Sequence, residues 1–303
     1  MKQPDLNTPP VPPLAWILLG LLSLTWGSSY ILIKKSLIAF TPQQLAGLRI
    51  SISAVAFFPV FLWNIRQVVW SKWKAFALVG FAGSFFPAFL YATAQTVLNS
   101  SVTGVLSALT PIFTLLLGIL YFRFPVSRGK MIGVFVGFLG AAFLVLPDNP
   151  STQSADLMYA LLAVLATFLY ALTNNVLKAA LHDVSPVVVS ATSFMFIALP
   201  AFIALYTSDF TTTLTHHPHG WKSLGYVTIL SLFSTFMATL FYFKLVQLTN
   251  PVFASMVSYL VPIIALLWGL GDGESVVPLQ VVGMVLILVG IYFSRMEPGQ
   301  PKS

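Results

Sequence analysis

Polar side chains recur in this chain where they are most expensive, inside long apolar stretches. One stretch carries Thr25, Trp26, Ser28, Ser29 and Tyr30, and another carries Tyr170, Thr173, Asn174 and Asn175. Trp26 and Tyr30 are four residues apart, so in a helix they share one face. Adjacent asparagines in a low-dielectric setting need hydrogen-bond partners, which water or a ligand in a cavity supplies. These groups hold a small molecule reversibly: rings for an apolar part, hydroxyls and amides for a polar one. The alternative is structural, with Ser28 and Ser29 allowing close helix packing and Trp26 filling space. Covalent chemistry lacks its parts. There is no cysteine, all four histidines lie outside the apolar stretches, and neither HExxH nor G-x-S-x-G occurs.

Arg49 is the sharpest single residue. It falls about 10 Å into its apolar stretch at 1.5 Å per residue, and no Asp or Glu lies in the interior of any such stretch. Three roles fit it: receiving a substrate carboxylate, capping carbonyls of a broken helix, or snorkelling to the surface. Lys34 and Lys178 stand at stretch ends, where interface anchoring is the simpler reading and an anion relay the functional one. Pro111 and Pro262 each remove a backbone donor and free a carbonyl, which makes them gating or kink positions. Ser107 and Thr110 flank the first, Ser258 and Tyr259 the second. Tyr91, Gln95 and Tyr242 complete the candidate wall of a ligand cavity. His216, His217 and His219 lie in a polar segment without a second ligand cluster, so they read as a solvated loop and no metal is expected. The GLGDG run at 269–273 lacks the Lys and Ser/Thr of a phosphate loop.

The elements that position these residues are membrane helices. The chain is 57% hydrophobic and 8% charged, with mean hydropathy +0.89. A soluble domain carries about a quarter charged residues. A span needs about 20 apolar residues, and ten candidates appear: 14–34, 42–63, 74–97, 99–121, 128–146, 155–178, 186–206, 221–245, 250–270 and 275–294. One connection is long, at 207–220. The proline-rich segment 1–13 reads as a disordered tail and 295–303 as a second tail. The first apolar run has no A-x-A-like cleavage site, so it reads as a retained helix. With the N-terminus inside, eleven of the fifteen Lys and Arg fall on the inner side. That bias places both termini in the cytoplasm. It also gives the net charge of +7 a topological meaning, so no nucleic-acid partner is expected.

The chain repeats itself. Asn99, Ser107, Leu109, Pro111 and Gly118 align with Asn250, Ser258, Leu260, Pro262 and Gly269. Trp26, Lys34 and Pro42 align with Tyr170, Lys178 and Pro186. Gly133 and Gly140 align with Gly283 and Gly290. Segments 14–147 and 155–294 are thus two copies of five helices. Five is odd, so the second copy is inverted, giving an all-α membrane protein built as a five-plus-five inverted-topology repeat. The glycines have helix-packing spacing, within the chain or across a homodimer seam, so monomer and homodimer both remain open.

Ten helices in this order, with LTWGSSYILIK at 24–34, TPQQLAGLRISISA at 41–54 and two proline helices, resemble the drug/metabolite transporter superfamily, in particular its EamA type. Glu274 matches the acid that usually follows the second proline helix of that family; Arg123 stands where the first copy commonly has Glu. The resemblance implies a cytoplasmic-membrane secondary transporter exporting amino acids or related small metabolites, with no cofactor. The lipid bilayer and a small-molecule substrate are its partners. Nucleotide-sugar or organophosphate exchange is the second reading; a scaffold or an intramembrane enzyme is the reading from another class. No Asp, Glu or His lies in a span middle, so facilitated diffusion or exchange is expected, or coupling through a peripheral acid such as Glu274.

Overall fold

The computed structural model describes residues 12–122, 128–145, 153–248, 257–276 and 278–295, and all regular structure among them is helical. The first half holds α1 (Pro13–Ser36), α2 (Pro42–Asn64), α3 (Trp73–Gly80), α4 (Phe86–Ala94), α5 (Ser100–Ser107), α6 (Thr110–Phe122) and α7 (Arg128–Val145). The second holds α8 (Gln153–Ala180), α9 (Pro186–Tyr206), α10 (Phe210–His216), α11 (Gly220–Ile229), α12 (Ala238–Leu248), α13 (Val257–Gly271) and α14 (Pro278–Arg295). Among the described residues, seven helical stretches are long and apolar enough to cross a membrane, and three shorter apolar helices lie within α7, α13 and α14. Leu120, Phe135 and Leu199 are largely exposed, as side chains that face lipid are.

Local sequence explains the helix ends. α1, α2 and α9 each begin on a proline, whose missing N–H is harmless in the first turn. Thr41 and Gln44 add a capping box to α2: Gln44 N–H donates to Thr41 Oγ1 at 3.2 Å, and Thr41 N–H to Gln44 Oε1 at 3.0 Å. Pro111 does more than bend its span. The helix stops at Ser107 and restarts at Thr110, so α5 and α6 are separate. Pro262, by contrast, lies within an unbroken α13.

Two features depart from the sequence expectations. The 207–220 segment is not a plain loop but carries α10. Its Phe210 packs on Phe40 with ring centroids 5.6 Å apart, and Gln44 Nε2 donates to Ser208 O at 2.7 Å. Tertiary contacts there override the weak helix propensity of a threonine run. The other is that α3 and α4 are joined by a π-helical turn, Phe81–Phe85, and α11 and α12 by another, Leu230–Met237.

The halves interleave. α7 runs along α14 and α2 along α9; α1 packs on α11, α12 and α13, while α8 packs on α4 and α6. The seam between α7 and α14 is glycine on glycine. A Cβ at Gly140 would meet Gly283 O and Ile287 N, and one at Gly290 would meet Gly137 N and Gly133 O. These glycines are therefore occupied within the chain.

Candidate functional site

A cavity of about 790 Å³ lies between the halves. In α1 the wall follows the i, i+3, i+4, i+7 rule: Trp26, Ser29, Tyr30 and Ile33 line it. The residues between them face α13 instead. Gly27 sits against Ile264, and Ser28 Oγ accepts from Trp268 Nε1 at 2.7 Å. Trp26 pairs with Tyr242 of α12 at 5.5 Å between centroids. Tyr30, Tyr91 and Tyr170 form a second aromatic group, at 5.8 Å and 6.0 Å, and the Tyr91 hydroxyl is 2.9 Å from Thr167 Oγ1.

The π-helical turn Leu230–Met237 shapes the opposite wall. Widening a helix releases carbonyls from the i→i−4 ladder, and the first half uses them. Trp26 Nε1 donates to Ser234 O at 3.1 Å, and the Ser53 hydroxyl, bonded at 2.8 Å to Arg49 O, also lies 3.2 Å from Ser231 O. Arg49 Nε donates to Thr235 Oγ1 at 3.3 Å. Among the described residues no carboxylate pairs with Arg49. The other turn, Phe81–Phe85, brings Gly83 and Ser84 to the wall.

Ser107, Thr110 and Pro111 also line the cavity, at the gap between α5 and α6. The carbonyl that Pro111 leaves without a donor is Ser107 O, and Thr110 Oγ1 takes it at 2.7 Å. Ser107 Oγ donates to Gly104 O at 2.6 Å. The break is thus closed by its own hydroxyls, which keep oxygen lone pairs rather than hydrogens for a ligand. Asn174 and Asn175 line the wall in α8 and differ in use. Asn175 Nδ2 donates to Thr114 O at 3.2 Å and to Ala171 O at 2.9 Å, so its amide hydrogens are held by protein carbonyls. Asn174 is exposed to the cavity, with one long contact to Thr114 Oγ1 at 3.5 Å.

Two expected positions fall elsewhere. Gln95 is buried behind the wall, where Nε2 donates to Tyr30 O at 3.1 Å. Pro262 is buried and off the wall, although Val257 and Val261 beside it line the cavity. The side chains of Ser258 and Tyr259, and all of Arg123, lie outside the described residues. Sequence reading also missed wall residues: Thr114, Ser234, Thr235 and Thr239 line the cavity, and so does Lys178, read from sequence as either an interface anchor or an anion relay. Repeated hydroxyls in apolar helices were the available signal for the first four.

The end beyond Ile33 is held by charges. Lys34 Nζ is 2.8 Å from Glu274 Oε1 and 2.9 Å from Asp272 Oδ2, and Lys35 pairs with Asp272 as well. Glu274 also caps α5. Oε1 accepts from Ser100 N at 2.9 Å and Ser100 Oγ at 2.6 Å; Oε2 accepts from Ser101 N at 3.1 Å and Ser101 Oγ at 2.6 Å. A carboxylate is favoured at a helix N-terminus. Burial pushes the Glu274 carboxyl up, but the Lys34 ammonium and the serine donors outweigh it and hold it at about 2. Lys35 and then Lys34 hold Asp272 below its usual value. The glycine run thus forms a carboxylate-presenting turn, closed by Glu274 N–H donating to Gly269 O at 2.9 Å. At the opposite end Lys72 Nζ meets Asp183 Oδ1 at 2.5 Å.

The comparisons with known proteins agree with a cavity-bearing helical carrier. An uncharacterized transporter of Archaeoglobus fulgidus is 26% identical over 279 residues, covering 91% of this chain and 97% of its own. A probable amino-acid metabolite efflux pump of Escherichia coli K12 is 26% identical over 287 residues, covering 92% and 93%. Its Salmonella typhimurium namesake is 25% identical over 285 residues, covering 90% and 92%. A solved crystal structure, 16% identical, superposes with a TM-score of 0.58 over 93% of this chain and 97% of its own, which supports the fold alone. The EamA-like transporter family model matches twice, over residues 14–146 and 157–296. The chain is a multi-pass membrane protein and belongs to the EamA-like transporter family.

Proposed function

We propose that this protein exports small amino-acid-derived metabolites across the cytoplasmic membrane by alternating access around the central cavity. The carrying observation is that the wall draws Trp26, Arg49 and Tyr91 from one half and Tyr170, Thr235 and Tyr242 from the other. A site built at the junction of two repeats is the arrangement that lets one half rock against the other. The names of the Escherichia coli and Salmonella relatives support the substrate class.

An inverted ten-span repeat is the architecture of this reading. Several observations support it. Exchanging the halves maps α1 on α13 into α8 on α6, and α1 on α11 and α12 into α8 on α4. Both halves carry a π-helical turn in the third span, and the family model matches each half separately. The Lys34–Glu274 and Lys72–Asp183 pairs each join connections that the charge bias puts on one side. In this state the pair beyond Ile33 holds the outer end, while the cavity reaches Lys178 in the last turn of α8.

Counterflow of a panel of amino acids and metabolites in proteoliposomes tests the activity; absence of any flux sinks it. The chain has no cysteine, so a single one introduced at Thr212 reports topology. Labelling by an impermeant reagent from the outside is expected, and labelling only after lysis overturns the orientation. Phosphate-ester exchange is the second reading, favoured by Lys178 joining Arg49 on the wall. Flux of sugar nucleotides or sugar phosphates in the same assay selects it.

A further inference from the structure

The charged side chains described on the cavity wall are both cations. Arg49 and Lys178 line it, and among the described residues no carboxylate does. None of the eight acidic residues lies in the interior of an apolar stretch. Thr235 takes the Arg49 Nε–H, which leaves the forked end of a five-donor guanidinium with no carboxylate partner among the described residues. A half-buried cation in such a setting selects an anion.

The neutral groups select further. Ser107, Thr110 and Thr239 donate their hydroxyl hydrogens to carbonyls on their own spans, at 2.6, 2.7 and 2.7 Å. What they offer outward is acceptor lone pairs, which suit a neutral N–H or O–H donor. Lone pairs do not neutralise an ammonium. An α-ammonium about 6 Å from the guanidinium, at an effective dielectric of about 20, is disfavoured about 100-fold.

Resting on the transporter reading, we infer that the cargo is a monocarboxylate without an ammonium group, carrying a neutral donor and an apolar or aromatic body, and that it crosses as the anion. N-acylated hydrophobic amino acids and aromatic hydroxy acids are of this class. The carrier's own charge moves out and back in each cycle, so the net charge transferred is that of the cargo. An anion leaving a cell that is negative inside is driven by the potential itself, about 50-fold in concentration ratio per ~100 mV. No proton-binding acid is then needed on the wall.

The test uses the purified full-length protein in proteoliposomes loaded with N-acetylphenylalanine, phenylalanine or phenethylamine, within the same metabolite panel, under potassium diffusion potentials of either sign. The expected result is efflux of N-acetylphenylalanine at least ~10-fold faster than phenylalanine, accelerated by an inside-negative potential. Arg49→Gln should reduce that flux at least ~10-fold while Arg49→Lys restores part of it. If the compounds that move carry an ammonium, lack a carboxylate or ignore the potential, the inference is overturned and the transporter stands. If nothing in the panel moves, the transporter reading falls with it.

Discussion

The ammonium of Lys34 stands 2.8 Å from Oε1 of Glu274, and that contact ties the end of α1 to the turn after α13. Because the same carboxylate accepts from Ser100 and Ser101, it ties both to the first turn of α5. The Glu274 side chain is 1% exposed, so its charge is stable only while these partners stay together. Opening this end requires them to separate or to move as one body.

Replacing Glu274 by Gln removes the charge and should destabilise the detergent-solubilised protein by about 3 kcal/mol, the scale for breaking one side of a buried pair. The pH dependence has a defined sign. The Glu274 carboxyl falls from 4.5 to about 2 in the folded protein, so its contribution is complete above the higher value and disappears as pH drops through the lower. Wild-type thermal stability should be level above about pH 5 and decline below it. E274Q should keep only the shallower slope due to Asp272 and Asp183, whose carboxyls are depressed in the same direction. A wild-type curve without the acid decline contradicts the arrangement.

Gly269 is the tightest point of that turn. A Cβ there would collide with Ser101 Oγ and Glu274 Oε2. Gly269→Ala should lower the melting temperature by an amount equivalent to about 1–3 kcal/mol, and Gly271→Ala, where no atom is within reach, should be near neutral on packing grounds. Equal effects at the two sites would refute the close approach.

The adjacent asparagines should separate by assay. Asn175→Ala removes two bonds to backbone carbonyls, so it should reduce thermal stability by about 1–3 kcal/mol. Asn174→Ala removes a single long contact from an exposed side chain and should leave stability within about 0.5 kcal/mol while raising the transport KM. The reverse pattern would mean that the cargo meets Asn175.

Trp26→Phe keeps a ring against Tyr242 but leaves Ser234 O without its indole donor. A loss of about 1 kcal/mol in stability is expected. Trp26→Ala also removes the wall and should reduce transport at least ~10-fold. Transport that is equal in the two variants would show that the ring does not meet cargo.

The helices and the face of α1 were legible in sequence for a physical reason. Lipid tolerates neither bare backbone nor stray polar side chains, so Trp26, Tyr30, Arg49 and Tyr170 advertised the cavity. Rotation of a helix about its axis is less visible. Gln95 carries the same chemistry as a wall residue but turns to the Tyr30 carbonyl. Lys178 shows the same ambiguity, because the last turn of a helix suits both an anchor and a cavity mouth. The π-helical turn Leu230–Met237 left no mark: it contains neither Gly nor Pro, and its carbonyls are met by side chains from α1 and α2. Glu274 was recognised as an acid at a helix end, but its partners come from α1 and α5, far away in the chain.

The glycine seam between α7 and α14 has a mechanical consequence. At Gly140 and Gly290 the two backbones approach each other directly, with only the Leu286 Cβ beside the first contact. Among the described residues neither helix contributes to the cavity wall. If the halves rock as proposed, these two helices, in backbone contact at Gly140 and Gly290, are the line about which they turn.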